Sequence, residues 1–147
     1  MTTHPASRLS ALLNQPGGMT AAEAAAAAHC RLQAIHGEAV AGIDGMAARM
    51  AALGPKLAQG PDRAAMDELY VLANAVFGTA GLFGLGTLGE VAYSLCELID
   101  RLRASGEWHS AALQVHLNGL ALVRNAGPGV QSVAAGLRRV AESVGRG

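Results

Sequence analysis

The chain has 147 residues, close to the usual size of one domain and long enough to bury a core without staples. Hydrophobic residues make up 51%, charged residues 15% and aromatics 3%, an alanine-rich balance that favours closely packed helices over an aromatic-rich sandwich. Eleven basic and eleven acidic side chains cancel, so no general field attracts nucleic acid or anionic lipid, and neither is expected as a partner.

The opening stretch lacks a cationic segment followed by a long apolar run, so it does not read as a signal peptide, and a cytoplasmic protein is expected. Gln15-Pro16-Gly17-Gly18 breaks the chain after a short apolar turn, which sets residues 1–18 apart as an N-terminal helical arm and 19–147 as the body. Thr20 with Glu23 three residues on has capping-box spacing and opens a helix running to about Leu53, before Gly54-Pro55. Gly37, Gly42 and Gly45 each cost about 1 kcal/mol against alanine in a helix interior, so a bend or division is expected there.

Asp62 reads as the N-cap of a helix reaching Phe83 or Gly84. Thr87 with Glu90 repeats the capping-box spacing and predicts the start of the next helix, whose Leu88, Val91, Leu95, Leu98 and Leu102 share one side and which stops at Ser105-Gly106. A final helical region starts near Glu107, carries Leu113, Leu117, Leu120 and Leu122, and is kinked or broken at residues 125–129 before a last amphipathic piece from Val130 to Val144. Four long helices with short connections predict an all-α, antiparallel four-helix bundle. Val71 to Leu88 approaches spanning length, but its glycines and amphipathic period suit a buried helix better than a membrane span.

The helix from Asp62 carries two stripes. Met66, Leu69, Ala73, Val76, Ala80 and Phe83 step by three and four and form the core face. Tyr70, Asn74, Phe77, Gly78 and Gly81 form a second row, displaced by roughly 110° at 3.6 residues per turn and largely outside the core. For Phe77 two readings stand, an exposed interface anchor or a partly covered residue at the core boundary. For Gly78 and Gly81 the alternatives are close packing inside the bundle and close approach of a partner.

Residues 69–84, Leu-Tyr-Val-Leu-Ala-Asn-Ala-Val-Phe-Gly-Thr-Ala-Gly-Leu-Phe-Gly, resemble the signature helix of histidine phosphotransfer domains, which read His-x-x-Lys-Gly-x-x-Gly-x-Phe-Gly. Gly78, Gly81, Phe83 and Gly84 fix the register. Residues 91–96 are similar to the next helix of bacterial members, and His116-Leu117-Asn118-Gly119-Leu120 sits where some members carry a comparable helix. In this alignment the phosphorylated histidine falls on Asn74 and the lysine after it on Phe77. A neutral ring nitrogen is nucleophilic near neutral pH and gives a transferable phosphoramidate, which an amide cannot do. Phenylalanine offers no charge to offset phosphoryl oxygens. The resemblance therefore implies a degenerate, non-catalytic member that docks on a response-regulator receiver domain or a histidine kinase through Tyr70, Asn74, Phe77, Gly78 and Gly81, as a monomer or a homodimer. Two alternatives stand beside it: phosphotransfer through another histidine, His116 or His36, and a self-associating structural bundle with Phe77 at the dimer face.

Other patterns carry less. Gly84-Leu85-Gly86-Thr87-Leu88-Gly89 spells a dinucleotide fingerprint, but a helix precedes it where that motif needs a strand. His29 and His36, like His109 and His116, are seven apart, without the closer spacing and added ligands of a metal site, and read as ordinary surface or boundary histidines. Cys30 and Cys96 have neither metal nor disulfide spacing and read as reduced thiols. No metal and no cofactor are expected, and no serine, cysteine or carboxylate pair suggests catalysis.

Overall fold

The structure, a computed structural model, describes residues 16–126 and 130–146. The arm expected over residues 1–18 thus lies, but for its last three residues, outside the described residues. By contacts the chain divides into two units, one ending at Glu38 and one beginning at Ala39. The described residues form five α-helices and one short 3₁₀ turn, with no strand among them, so the protein is all-α.

Helix α1 spans Ala21–Ala58. Its start is the expected capping box: the Thr20 amide donates to the Glu23 carboxylate at 2.7 Å, and the Glu23 amide donates to Thr20 Oγ1 at 3.2 Å. The backbone bond from Thr20 holds the Glu23 carboxyl below its ordinary pKa. Alanine's high helix propensity carries the helix across Gly37, Gly42 and Gly45 unbroken, contrary to the expected division. It also passes through Gly54-Pro55 to Ala58, beyond the expected stop at Leu53. Pro55 removes only one amide donor, close to the helix end and on the exposed side. Burial of Leu53 and Leu57 holds that last turn in place, and Gln114 Nε2 donates to the Gly54 carbonyl at 2.8 Å.

Helix α2, Arg63–Ala80, begins as expected at Asp62, whose Oδ1 accepts from the Ala65 amide at 2.8 Å. It runs into a 3₁₀ turn, Gly81–Phe83, and ends at Gly84, whose φ of +76° is a left-handed conformation that glycine adopts without strain. Helix α3, Gly86–Ser105, starts one residue before Thr87, and its N-cap is Leu85 with no side-chain cap. The expected Thr87–Glu90 capping box is therefore not formed. The left-handed Gly84 turns the chain early enough that the Gly89 amide already donates to Leu85, leaving Thr87 inside the first turn. Helix α3 stops at Gly106, φ +68°, as expected.

Helix α4 is Ser110–Ala126 and α5 is Gln131–Ser143. The center of the expected kink or break, 127–129, lies outside the described residues; with α4 before it and α5 after it, the α-helices among the described residues number five. Within the unit from Ala39 onward, contacts fix the helix directions. Asp67 meets Arg103, Tyr70 meets Asp100 and Phe77 meets Tyr93, so α2 and α3 are antiparallel. Arg49 pairs with Glu68 and Lys56 with Asp62, which makes α1 antiparallel to α2. Gly54 with Gln114 and Asp44 with Arg124 do the same for α1 and α4.

The core takes the predicted face of α2, with Met66, Leu69, Ala73, Val76 and Ala80 buried, while Phe83 is partly buried against it. From α3 it takes Leu88, Val91, Leu95, Leu98 and Leu102, and from α4 Leu113, Leu117 and Leu120. Leu122 faces outward, 51% exposed. Three glycines let helices close: Gly54, whose Cβ would lie 3.4 Å from Leu117 Cδ1, Gly89, whose Cβ would lie 3.5 Å from Ala80 Cβ, and Gly119, whose Cβ would lie 2.5 Å from Leu137 Cδ1.

Candidate functional site

The second row of α2 is open. Asn74, Phe77, Gly78 and Gly81 are exposed and Tyr70 is half-buried. A Cβ added at Gly78 or Gly81 would meet nothing within 4 Å, and neither glycine has a positive φ. Bundle packing therefore does not explain them. Each lowers the local helix propensity by about 1 kcal/mol against alanine without any compensating contact among the described residues.

Phe77 is 47% exposed and stacks on Tyr93 of α3, itself 42% exposed, with ring centroids 4.9 Å apart and planes at 43°. That offset, tilted arrangement is favourable for an aromatic pair. The pair forms a ridge between two hollows. One, of about 490 Å³, is lined by Tyr70, Asn74, Cys96, Glu97, Asp100 and Arg101 together with the two rings. The other, of about 200 Å³, is lined by Gly81, Gly86, Gly89, Glu90 and Arg138. Val71, 66% exposed, and Leu82, 80% exposed, extend the apolar surface on α2 and the turn after it. The sequence pattern thus assembles all five predicted residues on one side of α2, and the fold adds Tyr93 and the cations Arg101 and Arg138. Tyr93 carried no pattern of its own; with so few aromatics in the chain, its spacing from Phe77 across an antiparallel hairpin was the available signal.

Part of the charge beside the site is paired within the chain, through Asp67, Asp100 and Arg103. Arg103 Nη2 donates to Asp67 Oδ1 at 2.6 Å, and its guanidinium lies 4.9 Å from the centre of the Tyr70 ring. The Tyr70 hydroxyl donates a long bond, 3.4 Å, to Asp100. The neighbouring Asp100 carboxylate raises the Tyr70 phenol, so it stays protonated. Burial, with Asp100 adding to it, pushes the Cys96 thiol up to about 11, which keeps it out of the nucleophilic thiolate form. Around Asn74, then, there are two phenols, a neutral thiol and a phenyl ring, with the carboxylates of Glu97 and Asp100 and the guanidinium of Arg101 at the margin, and no imidazole.

Among the described residues no histidine lines either hollow. His116 is fully buried. Its Nδ1 donates to the Ala112 carbonyl at 2.9 Å, which leaves Nε2 to accept from the Ser94 hydroxyl at 3.0 Å. Burial pushes its pKa below the ordinary imidazole value, opposed by hydrogen bonds to the Ala112 and Leu137 backbone. His109 is exposed on the loop before α4, 3.4 Å from Glu107. His29 and His36 are exposed on α1. Among the described residues no three potential metal ligands cluster, and no helix is long and apolar enough to cross a membrane. The Gly84–Gly89 fingerprint is a helix-to-helix joint: Gly84 makes the left-handed turn, Gly86 opens α3, and Gly89 lies against Ala80 and the Phe77 carbonyl. Another hollow, about 640 Å³ and lined by Asp62, Met66, Leu102, Arg103 and Trp108, contains none of the predicted row, and its Asp62 and Arg103 are paired with Lys56 and Asp67.

No family model matches the chain, and no curated protein or solved structure matches it either.

Proposed function

We propose that this chain is a non-catalytic counterpart of a histidine phosphotransfer protein, acting in the cytoplasm by docking on a response-regulator receiver domain or a histidine kinase and modulating phosphotransfer without carrying phosphate. The observation that carries the reading is the open row of α2, where an exposed amide stands among an exposed aromatic and two glycines whose absent side chains nothing among the described residues requires. A partner surface approaching the helix backbone accounts for the glycines, and an exposed aromatic ridge flanked by hollows is the kind of anchor that dominates interface energetics. The geometry also disfavours one alternative, phosphotransfer through His116, because that ring is sealed in the core with both nitrogens engaged.

The test is binding of the purified chain to the receiver domains and histidine kinases of the same organism. At least one complex is expected, and Gly78→Arg should abolish it, because a bulky cation blocks approach at a position where space is open and the fold has nothing to lose. Failure of every partner to bind would remove the reading. So would a complex that Gly78→Arg leaves unchanged.

A further inference from the structure

The face of α1 that packs into the bundle, Ile43, Ala47, Met50, Gly54 and Leu57, continues towards the N-terminus at the same helical spacing as Ala25, Ala28, Leu32 and Ile35. There it is exposed, with Leu32 at 65% and Ile35 at 57%. The charges along α1 divide in the same way. Asp44, Arg49 and Lys56 are each paired with a residue of another helix or its cap, and Glu23 closes the N-terminal capping box. Arg31 and Glu38 form no ion pair among the described residues. They flank the exposed stripe on one side, seven residues apart, Arg31 immediately before Leu32 and Glu38 three residues after Ile35.

We propose that residues 25–38 of α1 form an antiparallel, two-fold interface with a second copy of this chain, with Leu32 against Ile35 of the second copy. Steps of three and four at 25, 28, 32 and 35 are the repeat that lets two helices interlock side chains along a seam, and small residues at its end allow close approach. Charge selects the direction and the register. With Leu32 opposite Ile35, Arg31 of each copy lies beside Glu38 of the other, giving two reciprocal pairs from one symmetry operation. Sliding by one heptad sets Arg31 against Arg31 in one direction and Glu38 against Glu38 in the other, so like charges penalise both neighbouring registers. A parallel pair sets Arg31 beside position 36, a histidine, and Glu38 beside position 43, an isoleucine, and gives neither an opposite charge. This interface uses neither Phe77 nor the open row of α2.

Sedimentation equilibrium of the full chain over a concentration series tests it. The wild type should approach twice the monomer mass at high concentration, and Leu32→Glu should remain monomeric with unchanged helicity by circular dichroism. Glu38→Arg, which turns both attractions into repulsions, should weaken the dimer on the order of tenfold given the modest worth of exposed ion pairs. Combining it with Arg31→Glu should restore the wild-type constant. A wild type that stays monomeric throughout overturns the proposal, as does a dimer split by Phe77→Glu but not by Leu32→Glu. A double reversal that fails to restore association overturns the antiparallel register.

Discussion

Helices α4 and α2 each carry a polar residue followed within four positions by a glycine, and the fold uses these two pairs in opposite ways. On α4, His116 and Gly119 face inward: the imidazole is locked between Ser94 and the Ala112 carbonyl, and Gly119 exists because Leu137 of α5 occupies the space its side chain would need. On α2, Asn74 and Gly78 face outward, and open space surrounds the glycine. The imidazole of α4 is sealed, and the open position on α2 carries an amide. Residue type alone therefore says little about where a reactive surface lies; burial assigns the roles.

The contrast can be broken most sharply from the buried sides. Leu69→Ala, on the fully buried face of α2, should lower stability by about 3 kcal/mol through lost transfer energy and a residual cavity, read as a shift in the denaturant midpoint. Gly119→Val should cost about 2 kcal/mol, because the new branches collide with Leu137 in a packed interface and must displace it. An unchanged midpoint for Gly119→Val would mean that α5 does not close on α4 as described.

The buried imidazole gives a pH signature. His116 has a lower pKa folded than unfolded, so its contribution is complete above the unfolded value of about 6.5 and is lost as the pH falls towards the folded one. Stability by chemical denaturation should be flat from pH 8 to about 6.5 and decline below it. His116→Gln should flatten that decline, and a wild-type curve that rises on acidification would contradict a sealed neutral ring. At the small end, Gly78→Ala should raise stability by about 0.5–1 kcal/mol, since the helix gains propensity and meets no clash. The same variant should weaken partner binding if the space at Gly78 is there for an approaching surface.

Much of this arrangement was legible in the sequence where a short-range rule decided it. The core stripe of α2, the leucines of α3, the Thr20–Glu23 box, the Asp62 cap and the Gly106 stop all follow from spacing and local hydrogen bonding. The failures share a cause in tertiary contact. Helix α1 crosses Pro55 because Leu53 and Leu57 are held in the core, which no local signal at Gly54-Pro55 reveals. Thr87 loses its cap role because Gly84 turns the chain early. Leu122 reads as core by type yet faces outward, and His116 reads as surface or boundary yet is enclosed, because the sequence does not say which side of α4 meets α3 and α5. At the candidate site, the open row was predicted from its periodicity, whereas Tyr93, Arg101 and Arg138 come from helices whose position beside α2 only the fold supplies.

The central claim is that α2 offers a phosphorelay docking face with the accepting chemistry removed. It is tested most directly by incubating the wild type and the double variant Asn74→His, Phe77→Lys with the phosphorylated form of a receiver or kinase that binds the chain, and measuring acid-labile protein phosphate. The account predicts no label on the wild type and label on the double variant, where an imidazole and a cation return to an open face. Label on the wild type, or none on a double variant that still binds, would contradict it.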